Sequence, residues 1–224
     1  MRDVGGRPYD GRVKLLLLSL NPGAMRPFLD GVASGAPLRV GYIDDAQVAY
    51  ADAPWVLAER RSIEALGHEL VDVTARDLTA ADFAAMLSAV DAVYVAGGST
   101  FALLEALRVT GNDDILAERV RGGLPYIGCS AGSIIAGPDI APASLMDDPR
   151  DGPALTDFGG LGLIGRTVIP HADGLLAPYP PSLIEETIAT YGESHDLLPV
   201  RDDQALRVDG DEETVIASAP AAGE

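Results

Sequence analysis

An apolar run at 124–127 leads directly into Gly128-Cys129-Ser130-Ala131-Gly132-Ser133, and this junction narrows what the chain can become. The pattern is Gly-x-Ser-x-Gly, with strand-like residues before it and small residues able to open a helix after it. Its two glycines permit a sharp strand-to-helix turn that lifts Ser130 above a sheet, over the N-terminus of the following helix. Such a setting matters because a serine hydroxyl is a poor nucleophile. It needs a base to take its proton and a backbone that presents it without crowding.

The rest of the chain alternates short apolar runs with longer amphipathic stretches, which predicts a mostly parallel sheet covered by helices. Buried strands are expected at 13–19, 38–43, 69–73, 92–96 and 124–128, and helices at 53–66, 80–90, 100–109 and 113–121. Thr79 and Ser99 stand where helices need caps, and Gly67 and Gly111 where helices should stop. Beyond the serine junction, 138–153 is rich in Asp, Pro and Ala and reads as a long surface loop. A strand-like run at 163–169 then reaches Pro170-His171, followed by a helix near 182–191. Strand-like segments at 205–208 and 214–218 flank the turn Asp209-Gly210-Asp211 and predict an antiparallel hairpin. The expected fold class is α/β and flavodoxin-like, a mostly parallel sheet flanked by helices on both faces with that hairpin added at the C-terminal end.

At 224 residues and 47% hydrophobic content, one globular domain over 13–224 is expected, preceded by a flexible polar tail at 1–12. That tail has no apolar core of a secretory signal, and no apolar run approaches the roughly 20 residues of a membrane span. Cys129 is the one cysteine, so neither an internal disulfide nor a multi-cysteine metal site is available. A cytoplasmic location is expected. A net charge of −18 argues against a nucleic-acid partner, since no basic stripe could neutralise phosphates. The acidic stretch 139–151 contains Pro142 and Pro149 and lacks the ligand alternation and central glycine of a calcium loop, so no metal is expected.

A base for Ser130 should be a histidine, the side chain that titrates near neutrality. His68 begins a strand and reads as a surface residue, and His195 lies in a polar connection at a helix end. His171 differs because it follows a strand-like run, and open parallel sheets assemble their sites at strand ends. Gly97-Gly98-Ser99-Thr100 likewise follows a predicted strand and precedes a helix. Its backbone N–H groups could approach an anionic oxygen, or it could be a tight strand–helix turn only. Without a following lysine or the spacing of a phosphate loop, nucleotide binding is disfavoured. Centring the motif on Cys129 instead puts Ile127 and Ala131 at the elbow positions, so Cys129 reads as a packing residue.

Taken together, Ala96-Gly97-Gly98-Ser99-Thr100-Phe101, Tyr126 to Gly132 and Ile169-Pro170-His171 resemble the peptidase E family of serine peptidases. Cyanophycinase is a more distant relative. The resemblance runs in order over about 13–215. It implies a fold like the class I glutamine amidotransferases, with no cofactor and a small peptide as substrate. It also implies Ser130 as nucleophile, His171 as base, and Gly98 with Ala131 as oxyanion donors. For the orienting acid, the turn Asp202-Asp203-Gln204 is similar to one in cyanophycinase-like relatives and aligns best with Asp203; Asp202 is the near alternative. Asp139, Asp147 and Asp148 are weaker candidates from the loop after the nucleophile helix.

Peptidase E enzymes are known for releasing N-terminal aspartate. If that extends here, the anionic side chain needs a cation; Arg150, Arg166 and Arg201 are the candidates, of which Arg150 and Arg201 border the expected site. The chain is expected to be a monomer or a homodimer. Two other readings stand beside the peptidase one: a different amidase or hydrolase on this scaffold, and a non-catalytic binding protein that keeps the elbow as architecture.

Overall fold

The computed structural model describes residues 11–32 and 37–219. Nine strands are present among them: β1 Lys14–Leu18, β2 Arg39–Ile43, β3 Glu69–Val73, β4 Ala92–Val95, β5 Tyr126–Cys129, β6 Thr167–Ile169, β7 Leu197–Pro199, β8 Gln204–Asp209 and β9 Glu212–Ala217. Seven form one sheet in the order β3-β2-β4-β5-β1-β8-β9. The first five in that order run parallel, β8 is antiparallel to β1, and β9 returns antiparallel to β8. The fold is α/β and flavodoxin-like, with the C-terminal hairpin at one edge.

Among the described residues seven α-helices accompany the strands: α1 Met25–Asp30, α2 Pro54–Glu64, α3 Ala80–Ser88, α4 Thr100–Arg108, α5 Asn112–Arg121, α6 Ala131–Ile134 and α7 Pro181–Tyr191. The period-2 geometry of β1 explains why its four leucines are all apolar. Leu15 and Leu17 join a core with Phe83 of α3, Phe101 and Leu104 of α4 and Leu116 of α5. Leu16 and Leu18 face the opposite way, into a core with Met25 and Leu29 of α1 and Ile63 of α2. Helices therefore cover both faces of the sheet. Thr79 caps α3 by accepting the Asp82 N–H, and Ser99 caps α4 by accepting that of Ala102.

Two regions depart from the sequence reading. The run at 163–169 yields strand only at its end, after Gly162 with φ of +58°, and β6 pairs in parallel with β7 in a separate two-stranded sheet. Nothing in the composition of Leu197-Leu198-Pro199 had marked it as a strand. The segment 138–153 is more than a surface loop: it carries 3-10 turns at Ala141–Leu145 and Pro149–Asp151, and it buries Ile140 and Ala143 in the core with α6. The tail expected at 1–12 falls largely outside the described residues; Arg12 is paired with Asp209.

Candidate active site

Because β1, β4 and β5 are adjacent and parallel, their carboxyl ends open on one edge of the sheet. Each end delivers one piece. β1 runs into Ser19, β4 into Gly97-Gly98, and β5 into Ser130 at the head of α6. The antiparallel hairpin adds a fourth piece. Since β8 runs against β1, with Ala205 opposite Leu18, the residues just before β8 reach the same edge.

The elbow at Ser130 depends on its glycines. A Cβ on Gly128 would collide with the carbonyl of Gly132, and one on Gly132 with the carbonyl of Val95. The close packing that excludes those side chains holds Ser130 at φ 46° and ψ −105°, and it stays partly exposed. His171 also has positive φ, at 58°. Among the described non-glycine residues these are the two with positive φ. Such conformations cost on the order of 1–3 kcal/mol each and persist where surrounding structure over-determines them, commonly at active sites.

Their side chains meet. Ser130 Oγ lies 3.0 Å from His171 Nε2, and His171 Nδ1 lies 2.7 Å from Asp202 Oδ1. An ionised carboxylate only accepts, so Nδ1 carries the proton and Nε2 is left to accept from the serine. His171 and Asp202 are 2% and 7% exposed, which keeps water from competing for either bond. Ser19 braces both: its hydroxyl donates to Asp202 Oδ1 at 3.0 Å and accepts the His171 N–H at 2.7 Å. Asp173 Oδ2 accepts the Asp202 N–H at 3.1 Å, and Asn21 Nδ2 donates to the Asp202 carbonyl at 2.8 Å. The Tyr179 ring stacks on the imidazole, with centroids 4.7 Å apart and planes 3° from parallel.

The carboxylate beside His171 is thus that of Asp202, and the sequence preference for Asp203 is corrected. Successive residues entering a strand point to opposite sides. Asp203 is turned outward into a two-point pair with Arg201, whose guanidinium holds its carboxyl below the ordinary range. Arg201 and Arg150 are both exposed, and each binds an aspartate two residues away, Arg150 pairing with Asp148. That geometry leaves neither arginine preorganised for a substrate carboxylate. Asp139 contacts His195, 3.3 Å from its Nε2. His68 Nδ1 accepts the Leu38 N–H, as a structural histidine does.

Gly98 and Ala131 flank the serine with backbone. In the turn after β4, the Gly97 N–H goes to Glu59 Oε1 at 3.2 Å, the Ser99 N–H to the Ala46 carbonyl at 3.0 Å and the Thr100 N–H to Asp147 Oδ2 at 3.0 Å. The Gly98 N–H between them has no acceptor among the described residues, and neither does that of Ala131, the first residue of α6. Gly98 has φ of +134°, and a side chain there would collide with the Ala46 carbonyl. Only glycine fits this turn.

Cys129 is buried, and its thiol is pushed well above its usual pKa by burial and by the neighbouring Glu59 carboxylate. It faces the Ser19 and Leu20 carbonyls, behind the elbow. Ser19, Tyr179, Asp173 and Glu59 escaped the sequence reading. Only Ser19 left a local signal, a polar residue directly after the four leucines of β1.

The profile of peptidase family S51 matches residues 21–216, with the elbow, His171 and Asp202 inside that span. The chain belongs to peptidase family S51. This makes it a serine-type peptidase. A Listeria innocua peptidase, itself uncharacterized, is 33% identical over 161 residues, covering 72% of this chain and 75% of that one. Peptidase E of Streptomyces coelicolor is 40% identical over 134 residues, 57% of this chain and 52% of its own length. A solved structure from Listeria monocytogenes, described as a peptidase E, superposes with a TM-score of 0.81 at 25% identity, covering 92% of this chain and 98% of that one. In this S51 peptidase, no described helix is long and apolar enough to cross a membrane.

Proposed function

We propose that this S51 peptidase hydrolyses short peptides through an acyl-enzyme on Ser130. His171 Nε2 takes the hydroxyl proton as Oγ attacks the scissile carbonyl, and the imidazolium so formed is stabilised by Asp202. The tetrahedral oxyanion receives the N–H groups of Gly98 and Ala131, assisted by the positive end of α6. His171 returns the proton to the leaving amine, and water, deprotonated by the same imidazole, hydrolyses the ester. The observation that carries this reading is the continuous Ser130–His171–Asp202 relay at 3.0 and 2.7 Å, with Ser19 bracing both its partners.

On substrate, the aspartate-releasing specificity of peptidase E is not what the charges favour. The two bordering arginines are engaged in exposed pairs, whereas the side of the site around His171 carries carboxylates: Asp202 on its Nδ1, Asp173 on the Asp202 N–H, and Asp147 close enough to interact electrostatically with the imidazole. A free N-terminal ammonium fits that field, and an aspartate side chain would enter it without a partner. We therefore assign peptides with an uncharged N-terminal side chain. A dipeptide library, scored for released N-terminal residues, tests both statements. Release of alanine or leucine ahead of aspartate is the expected result, aspartate alone would reverse the specificity, and no release with no acylation of Ser130 by a fluorophosphonate would reject the peptidase reading.

A further inference from the structure

Beneath the Gly97-Gly98 turn lies an acidic side chain that takes no part in the relay. Glu59, on α2, accepts three hydrogen bonds from neutral donors: Tyr94 Oη at 2.6 Å and the Gly97 N–H at 3.2 Å on Oε1, and Gln47 Nε2 at 2.6 Å on Oε2. Gln47 Oε1 in turn accepts from Tyr42 Oη at 3.1 Å, and the rings of Tyr42 and Tyr94 stack with centroids 5.5 Å apart. No cation contacts the carboxylate among the described residues. Burial holds Glu59 above the ordinary glutamate range, and the hydrogen bonds from Tyr94 and Gly97 offset only part of that.

A carboxylate in this position costs stability relative to an apolar side chain of the same size. What it provides is a fixed acceptor for one peptide group. Gly97 lies against the nucleophile: a Cβ there would sit 3.3 Å from Ser130 Cβ and 3.5 Å from the Cys129 carbonyl oxygen. Two consecutive glycines can rotate the peptide between them at little steric cost. Glu59 pins the Ala96–Gly97 peptide just before it, while the Ala46 carbonyl pins the Gly98–Ser99 peptide just after it. The N–H left over, that of Gly98, is thereby held in one orientation.

We propose that Glu59 is a positioning residue of the oxyanion hole, acting through the Gly97 N–H to aim the Gly98 N–H at the substrate carbonyl. The inference rests on the catalytic reading of Ser130, Gly98 and Ala131. It predicts a loss confined to the transition state, because a misaimed donor weakens binding of the oxyanion and leaves the ground-state peptide bound as before.

The test is steady-state kinetics on a peptide that the wild type cleaves, together with inhibition by a peptide boronic acid, whose tetrahedral adduct places an oxygen in the hole. Glu59→Met keeps the length of the side chain and removes the acceptor. Its kcat should fall by about 10²- to 10³-fold with KM within about threefold, and boronate affinity should fall in parallel. Glu59→Gln should retain most of the wild-type kcat, because its amide oxygen can serve Gly97 and Tyr94 while a flipped Gln47 serves its amide. Should Glu59→Met not fold, Glu59→Asp carries the same expectation, since its shorter reach cannot satisfy Tyr94 and Gly97 together. Wild-type kcat in the acceptor-deficient variant, a loss seen in KM alone, or a Gln variant as impaired as Met would each overturn the proposal. A wild type that cleaves no peptide and resists fluorophosphonate would instead remove the catalytic reading beneath it.

Discussion

Ser130 Oγ and His171 Nε2 stand 3.0 Å apart, although each residue sits in a backbone conformation that side chains disfavour. Both strained residues come from strand ends in different sheets, so the contact is made by the tertiary structure and not by a local motif. A pair held this way should be sensitive to chemistry and tolerant of shape. Ser130→Ala removes one oxygen and no packing, so activity should fall about 10⁴-fold or more while thermal unfolding stays near that of the wild type. Peptide turnover on both proteins, beside a melting curve, checks this. Turnover that survives the mutation would place the nucleophile elsewhere.

Asp202 and Asp203 offer a sharper comparison, because two neighbouring carboxylates lie on opposite sides of one turn. Asp202→Asn keeps the size but turns an amide toward His171 and removes the charge that favours the imidazolium. A kcat lower by about 10³- to 10⁴-fold is expected. Asp203→Asn removes only an exposed, solvent-screened pair with Arg201 and should leave kcat unchanged. Equal effects from the two variants would contradict the assignment.

Chemical labelling separates serine from cysteine chemistry. Burial and the nearby Glu59 carboxylate keep the Cys129 thiol protonated, and the thiolate is the reactive form. Native protein should resist iodoacetamide at pH 8 and react only once unfolded, whereas a fluorophosphonate should acylate Ser130 in the native state. Rapid alkylation of the folded protein with loss of activity would count for Cys129.

Asp147 gives a pH dependence of stability with a definite sign. Burial raises its carboxyl above the ordinary range, opposed by the hydrogen bonds from Thr100. A folded pKa above the unfolded value, about 3.9, stabilises the folded state fully below that value. The contribution is lost as pH climbs through the folded pKa. Asn does not ionise, and its carbonyl can take both Thr100 bonds. The melting temperature of Asp147→Asn relative to wild type should therefore rise as pH increases above about 4, then level off. Melting curves for both proteins between pH 4 and 8 provide the comparison, and a difference that is constant or declines with pH would contradict it.

By itself the sequence determined the sheet, the hairpin and the elbow, because each rests on local physics. Leu15 to Leu18 are apolar on both faces, as a central parallel strand requires; Ser99 and Thr79 cap their helices; Gly128 and Gly132 permit a turn that other residues would block. His171 could be named from its place after a strand-like run. The tertiary structure alone decided between Asp202 and Asp203, since a shift of one residue reverses the direction of a side chain and nothing in an Asp-Asp pair records the register. It alone revealed Ser19, Tyr179 and Glu59, which come from 152, 8 and 112 positions away from His171 by the numbering. Their roles come from hydrogen bonds and stacking between segments distant in sequence or folded back on one another, and such contacts leave no period or spacing in the chain. The antiparallel course of β8 joins the two levels, because it brings a turn near the C-terminal end to the same edge as β1, β4 and β5.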